Sequence, residues 1–152
     1  MILGIISDTH GVLRQNVLDA LRGVNHVIHA GDIGNPEVIA ALEQVAPTTA
    51  VRGNTDRESW AESLPSEEIL TLADTTFFIL HDLYNLSLDP AAAGIQVVIS
   101  GHTHQPMVQM LKDVLYFNPG SASQRRRGGP LAIGRIRIAA HGILPEIIQL
   151  DR

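Results

Sequence analysis

Five short polar clusters interrupt this chain, each at the end of an apolar run rich in β-branched residues. Ile5-Ile6-Ser7 leads into Asp8-Thr9-His10, Val27-Ile28 into Gly31-Asp32, and Ala50-Val51 into Gly53-Asn54. Phe78-Ile79-Leu80 leads into His81, and Val98-Ile99-Ser100 into Gly101-His102-Thr103-His104. Short apolar runs of this kind read as buried strands, and open α/β sheets carry their binding sites beyond the carboxyl ends of the strands. A fold that ends these five strands on one edge gathers side chains that lie far apart in sequence. That requirement restricts the topology more than any other feature of the chain.

Together the clusters hold two carboxylates, one carboxamide and four imidazoles. The chain has no cysteine, so a disulfide framework and a zinc–thiolate site are both excluded. Nitrogen and oxygen donors without thiolate suit manganese, iron, nickel or zinc. Gly31, Gly53 and Gly101 each precede a candidate ligand and are expected at positive φ, turning the chain sharply out of its strand. Each cluster also has a plainer reading. Asp8 or Thr9 could cap a helix starting near Gly11, His102 and His104 could be surface residues, and a lone His81 could be a core histidine. The repetition of the pattern at five strand ends favours a shared site.

The order D-x-H, G-D, G-N, H, G-H-T-H resembles the signature of the calcineurin-like metallophosphoesterases. From Met1 to about Gly129 the chain is similar to their small bacterial and archaeal phosphodiesterases. The resemblance implies that Asp8, His10 and His104 hold one divalent metal ion and that Asn54, His81 and His102 hold a second. Asp32 bridges the two, a role for which a carboxylate also offsets repulsion between dications about 3.5–4 Å apart. Asp32, Asn54 and His102 are the implied catalytic residues, and manganese is the first choice of metal, with iron, nickel or zinc as alternatives. The implied reaction is in-line attack of a metal-bridging hydroxide on a small phosphodiester or nucleotide-like substrate. Arg127, before Gly128-Gly129, matches an arginine suited to substrate phosphate, and Arg57 is a weaker candidate of that kind. Asn118-Pro119-Gly120-Ser121 is expected to shape the pocket edge. The alternatives are a phosphomonoesterase and a non-catalytic protein-interaction scaffold on the same fold. Scaffold members tend to lose metal ligands, whereas every candidate position here carries a competent donor. Small members of the family often self-associate, so a homodimer is an expected state.

Two positions depart from the family pattern. Larger phosphatases of the superfamily have Gly-Asn-His-Glu at the third cluster, where this chain has Gly53-Asn54-Thr55-Asp56. A threonine hydroxyl does not titrate near neutral pH, so Thr55 cannot protonate a leaving group, and this favours diesters over monoesters. Asp56 is expected to hold the loop by hydrogen bonds. Asp82 stands after His81 where the family commonly has glycine, placing an extra carboxylate beside the second metal. His26, His29 and His141 match no motif position and read as structural, although His29, three residues before Asp32, is placed to support the site from behind.

The first half of the chain alternates strand-like runs with helical patterns at Leu13–Leu21 and Pro36–Val45, which predicts a parallel βαβαβ unit. The second half reads as three hairpins, Glu68–Leu72 with Thr76–Leu80, Pro106–Leu111 with Val114–Phe117, and Leu131–Ile138 with Ile143–Leu150, plus a strand at Val97–Ser100. The expected architecture is one α/β domain spanning residues 1–152, a four-layer αββα sandwich with two mixed sheets. An apolar fraction of 45% against 18% charged residues describes a compact chain. No basic segment precedes the first strand and no apolar stretch approaches ~18 residues, so a cytoplasmic protein with no membrane partner is expected. A formal net charge of −5 opposes a stable nucleic-acid complex; local basic character is confined chiefly to Arg125-Arg126-Arg127.

Overall fold

A computed structural model describes residues 1–150. Along the chain run β1 (Ile2–Ile6), α1 (Gln15–Ala20), β2 (His26–His29), α2 (Pro36–Glu43) and β3 (Thr48–Ala50). There follow β4 (Glu67–Leu72), β5 (Thr75–Leu80), β6 (Val97–Ile99), β7 (Met107–Leu111), β8 (Val114–Asn118), β9 (Leu131–Ala139) and β10 (Gly142–Leu150). They form two five-stranded sheets, ordered β10-β9-β1-β2-β3 and β4-β5-β6-β8-β7. β1, β2 and β3 pair in parallel as the alternating pattern predicts, and β9 joins β1 antiparallel. In the second sheet β5, β6 and β8 are parallel, while β4 and β7 close its edges as antiparallel hairpin partners. All three predicted hairpins form, with ends shifted by a residue or two. The tight turns Ala73-Asp74 and Lys112-Asp113 have positive φ at both residues, the mirror-image geometry that matches strand twist.

Strand periodicity sorts the core into layers, since alternate residues face opposite sides of a sheet. Ile6, Val27 and Ile133 face the helices, meeting Val17 of α1, Leu21 just after it, and Val38 and Leu42 of α2. Leu3, Ile5 and Ile28 face the other way, against Phe77, Ile79, Val97, Ile99 and Phe117 of the second sheet. Burying side chains of this size contributes about 1.5–3 kcal/mol each, so the inter-sheet layer locks the two sheets' relative position. α2 is started locally: Asn35 Oδ1 accepts from the Val38 amide at 3.2 Å and Pro36 opens the first turn. α1 starts at Gln15 with no side-chain cap, so neither Asp8 nor Thr9 serves as one.

The four-layer expectation needs correction on one side. Among the described residues no α-helix covers the outer face of the second sheet. Phe78, Leu80, Val98 and Val114 are instead covered by Leu83, Leu86 and Leu88, from a segment whose regular structure is one 3-10 turn at Leu83–Asn85. The reason is local. Asp82, Asn85, Asp89, Pro90 and Gly94 break the segment into pieces shorter than a stable helix. Among the described residues no helix is long and apolar enough to cross a membrane.

Candidate metal centre

The two sheets deliver all five predicted loops to one edge. The Asp8 amide donates to the Gly31 carbonyl at 3.0 Å, the His10 amide to the Asp32 carbonyl at 2.9 Å, and the Gly101 amide to the His81 carbonyl at 2.9 Å. The His102 amide crosses between sheets to Asp8 Oδ2 at 3.0 Å. Asp8, His10 and His104 gather as one donor set, and Asp8, Asp32 and His81 as another. Asn54 and His102 stand at the exposed rim beside His81: Asn54 Oδ1 lies 3.3 Å from His102 Nδ1, and the His81 and His102 rings meet edge to face. All seven predicted ligands therefore converge.

Each carboxylate has one oxygen held by the protein and one left bare. Asp8 Oδ2 accepts from the Ser7 hydroxyl at 2.6 Å as well as from the His102 amide, whereas Oδ1 is buried without a hydrogen bond. That bare oxygen lies 3.2 Å from His104 Nε2, 3.6 Å from His10 Nε2 and 3.8 Å from His81 Nε2. Asp32 Oδ1 accepts from the Thr55 amide at 3.0 Å. Its Oδ2 lies between the two sets, 3.2 Å from His81 Nε2 and 3.8 Å from His10 Nε2.

The His81 tautomer follows from its neighbours. Nδ1 sits 2.7 Å from the Ala30 carbonyl, which can only accept, so Nδ1 carries the proton. Nε2 then presents a lone pair, buried and unpartnered, to the carboxylates of Asp8 and Asp32. In the neutral ring, acceptors face acceptors in a buried space, which calls for a positive charge there, either a metal ion or a second proton on the ring. The titration directions show the same demand for positive charge. Burial pushes the His81 pKa down, but the Asp32 carboxylate outweighs it and raises the group overall; the Asp8 carboxylate raises His10. Asp8 and Asp32 are both held below the usual carboxylate range, burial notwithstanding, by their histidine and hydroxyl or amide partners. These residues fit a pair of divalent ions: a carbonyl-oriented imidazole, half-oriented carboxylates and bare inward-facing donors are what ligation uses.

The loops reach this arrangement by a route that differs from the expected one. Gly31 has φ +102°, but the left-handed backbone falls mainly on the ligands themselves: Asp8, His10, Asp32, His102 and His104 all have φ between +46° and +73°. Gly53 and Gly101 are required by close approach instead. A Cβ on Gly53 would overlap the Asp32 carboxylate, and one on Gly101 would overlap Ser7 Oγ.

Further residues hold these loops in place. Asp56 does, as expected, hold the loops, accepting from the Ile33, Gly34 and Gly53 amides at 3.0, 3.1 and 2.9 Å. The Ser121 and Ser123 hydroxyls both donate to the Asp8 carbonyl at 2.8 Å. Asn118 donates to the Gly101 carbonyl at 2.9 Å and to Thr103 Oγ1 at 3.2 Å, so the loop after β8 fastens the Gly101–His104 turn. His29 is fully buried behind the site. It accepts the Gly31 amide at Nδ1 (3.0 Å), so its Nε2–H donates to Thr9 Oγ1 (3.0 Å), whose hydroxyl donates to the Ile33 carbonyl (2.7 Å). His26 pairs with Thr49 Oγ1 and His141 lies at the distant β9–β10 turn.

Among the three clustered arginines, Arg126 is fastened to the centre, donating to the His102 carbonyl at 3.2 Å. Arg127 is exposed at a left-handed turn position, and Arg57 donates to the Asn54 carbonyl at 3.0 Å, bracing that loop. Asp82 faces the rim: Oδ1 caps the 3-10 turn by accepting from the Tyr84 amide at 3.0 Å, and Oδ2 lies 3.7 Å from His102 Nε2.

Comparison with known proteins agrees with this geometry. Residues 1–140 match the calcineurin-like phosphoesterase superfamily domain. The chain is 34% identical to a probable metallophosphoesterase of Methanothermobacter thermautotrophicus, over 98% of this chain and 92% of that protein. It is 34% identical to a phosphodiesterase of Methanocaldococcus jannaschii, over 86% of this chain and 89% of that one. A solved structure described as a novel archaeal phosphodiesterase superposes with a TM-score of 0.79 at 29% identity, covering 97% of this chain and all of the other. With residues 1–140 matched by the family and near-complete coverage by a relative 34% identical, the chain belongs to the calcineurin-like phosphoesterase superfamily.

Proposed function

We propose that this chain is a dinuclear-metal phosphodiesterase acting on small phosphodiesters. The observation that carries the reading is the set of buried, unpartnered donor atoms, Asp8 Oδ1 and His81 Nε2 among them, facing one another across the strand ends. Asp8, His10 and His104 would hold one ion, Asn54, His81 and His102 the other, with Asp32 shared. Divalent ions bound there supply Lewis acidity to a phosphoryl oxygen and lower the pKa of the water that attacks phosphorus.

The chain's own groups do the positioning. Ser7 and the His102 amide fix the Asp8 carboxylate, the Thr55 amide fixes Asp32, and the Ala30 carbonyl fixes the His81 ring. Arg126, over the His104 side, adds positive charge where a phosphate anion would approach. Thr55 is exposed at the rim and offers no proton near neutral pH. A diester whose leaving group needs little protonation therefore suits the site better than an alkyl monoester, since general acid catalysis contributes about 10²–10⁴-fold where it is available.

Metal analysis of the purified protein, paired with hydrolysis of bis(p-nitrophenyl) phosphate and of alkyl phosphomonoesters, tests this reading. About two ions per chain, loss of activity on chelation and faster turnover of the diester are expected. Full diesterase activity after exhaustive chelation would overturn it, as would faster turnover of alkyl monoesters.

A further inference from the structure

Next to Asn54 and His81 opens a cleft of about 270 Å³, walled otherwise by Arg52, Ser66, Glu67, Asp82 and Asn85, with Leu80 as its one apolar side chain. Its volume falls just below that of typical small-molecule sites, which run about 300–1,000 Å³, and suits one small substituent. Neither Arg52 nor Glu67 has a side-chain hydrogen bond or ion pair among the described residues. The cleft thus offers uncommitted groups of both kinds directly beside the second donor set.

We propose that this cleft binds one ester arm of the substrate, and that the arm is an uncharged polyhydroxyl group the size of a single sugar ring or short polyol. The proposal rests on the phosphodiesterase reading, because a phosphate held at the donor sets would direct one substituent past Asn54 and His81. The guanidinium of Arg52 donates and the carboxylate of Glu67 accepts, while Ser66 and Asn85 can do either. A hydroxyl is both donor and acceptor, so a polyol matches that mixture. Two carboxylates, Glu67 and Asp82, against one guanidinium disfavour a second phosphate. No phenylalanine, tyrosine or tryptophan lines the cleft, and the one aromatic ring there, His81, is committed to the donor set, so a nucleobase would find little stacking surface. An alkyl arm would desolvate charged groups and give them no partner.

Calorimetric titration of the manganese-loaded protein with methyl phosphate, glucose 1-phosphate and adenosine 5′-monophosphate tests the assignment. Glucose 1-phosphate should bind about tenfold tighter than methyl phosphate, roughly the net worth of one charge-assisted hydrogen bond. The ratio should fall to near one in Arg52→Met combined with Glu67→Leu, and partway in Glu67→Gln, which keeps the side chain's shape. Equal affinities for glucose 1-phosphate and methyl phosphate in the unaltered protein overturn the proposal, as does a ratio unchanged in the double variant. Tightest binding of the nucleotide overturns it in favour of a nucleoside arm. Failure of all three to bind overturns it too, and hydrolysis of bis(p-nitrophenyl) phosphate by the same preparation separates that result from failure of the phosphodiesterase reading.

Discussion

The imidazole of His29 should make the metal-free fold sensitive to mild acid in a way that one substitution removes. Burial lowers its pKa from 6.5 to about 4, although the carboxylates of Asp8, Asp56 and Asp32 pull the other way and His81 adds to the depression. Its hydrogen bonds agree, since Nδ1 must stay unprotonated to accept the Gly31 amide. The ring is then neutral in the native state while the unfolded chain takes up a proton. For a lowered imidazole the penalty is absent above pH 6.5, grows as pH falls, and is complete below about pH 4. At about 1.4 kcal/mol per pH unit the full penalty is roughly 3 kcal/mol, of which about 2 kcal/mol appears between pH 7 and pH 5. Urea unfolding of the metal-free protein at those two pH values should therefore show the wild type losing about 2 kcal/mol more than His29→Gln. Comparing the two proteins cancels the groups they share, including His10 and His81, whose raised values act in the opposite sense. Nitrogen chemical shifts of His29 should report the neutral Nε2–H tautomer at pH 5. Parallel losses in both proteins, or a doubly protonated ring at pH 5, would refute the argument.

Asp56→Ala should destabilise the protein by about 2–4 kcal/mol, because it leaves the buried Ile33 amide and the partly buried Gly34 and Gly53 amides without their acceptor; a loss below 1 kcal/mol in a denaturation series would contradict that role. Asp32→Asn should lower metal content below that of either His104→Ala or His102→Ala, since its Oδ2 faces both donor sets; occupancy equal to the wild type, read by elemental analysis, would remove it from the bridging position. Thr55→His should raise the ratio of monoesterase to diesterase turnover by at least tenfold, at the low end of what a general acid contributes; an unchanged ratio would show that position 55 does not face the leaving group.

The strand ends were readable because their chemistry is periodic: apolar runs stop at polar residues again and again, and only a common edge reconciles those stops. The parallel βαβαβ unit and the three hairpins followed from alternation and turn residues. The cover of the second sheet was not readable as a helix or otherwise, because Leu83, Leu86 and Leu88 act through tertiary contact with Phe78 and Leu80 and not through their own periodicity. The same holds within the site. Ser121 and Ser123 work through hydroxyl bonds to the Asp8 carbonyl across long sequence separations, to which no local pattern corresponds. Arg126 and Arg127 are neighbours of identical chemistry, and only the left-handed turn at Arg127 decides which of them reaches the His102 carbonyl. Gly31 takes the expected positive φ, whereas Gly53 and Gly101 do not, for a physical reason. Missing side chains answer two different needs, freedom of φ and room for a neighbour, and Gly53 and Gly101 serve the second.

Five ligand residues held in left-handed backbone carry a conformational cost of about 1 kcal/mol or more apiece, even for the Asp and His types that tolerate it best. The fold therefore keeps several kcal/mol in tension at the one place where it presents its donors. Replacing one of these residues by glycine would relax that tension, and His102, at the exposed rim, is where the relief would be least offset by lost packing. Any search of this chain for greater thermal tolerance, run without an activity screen, would accordingly drift toward sequences that fold better and hold metal worse.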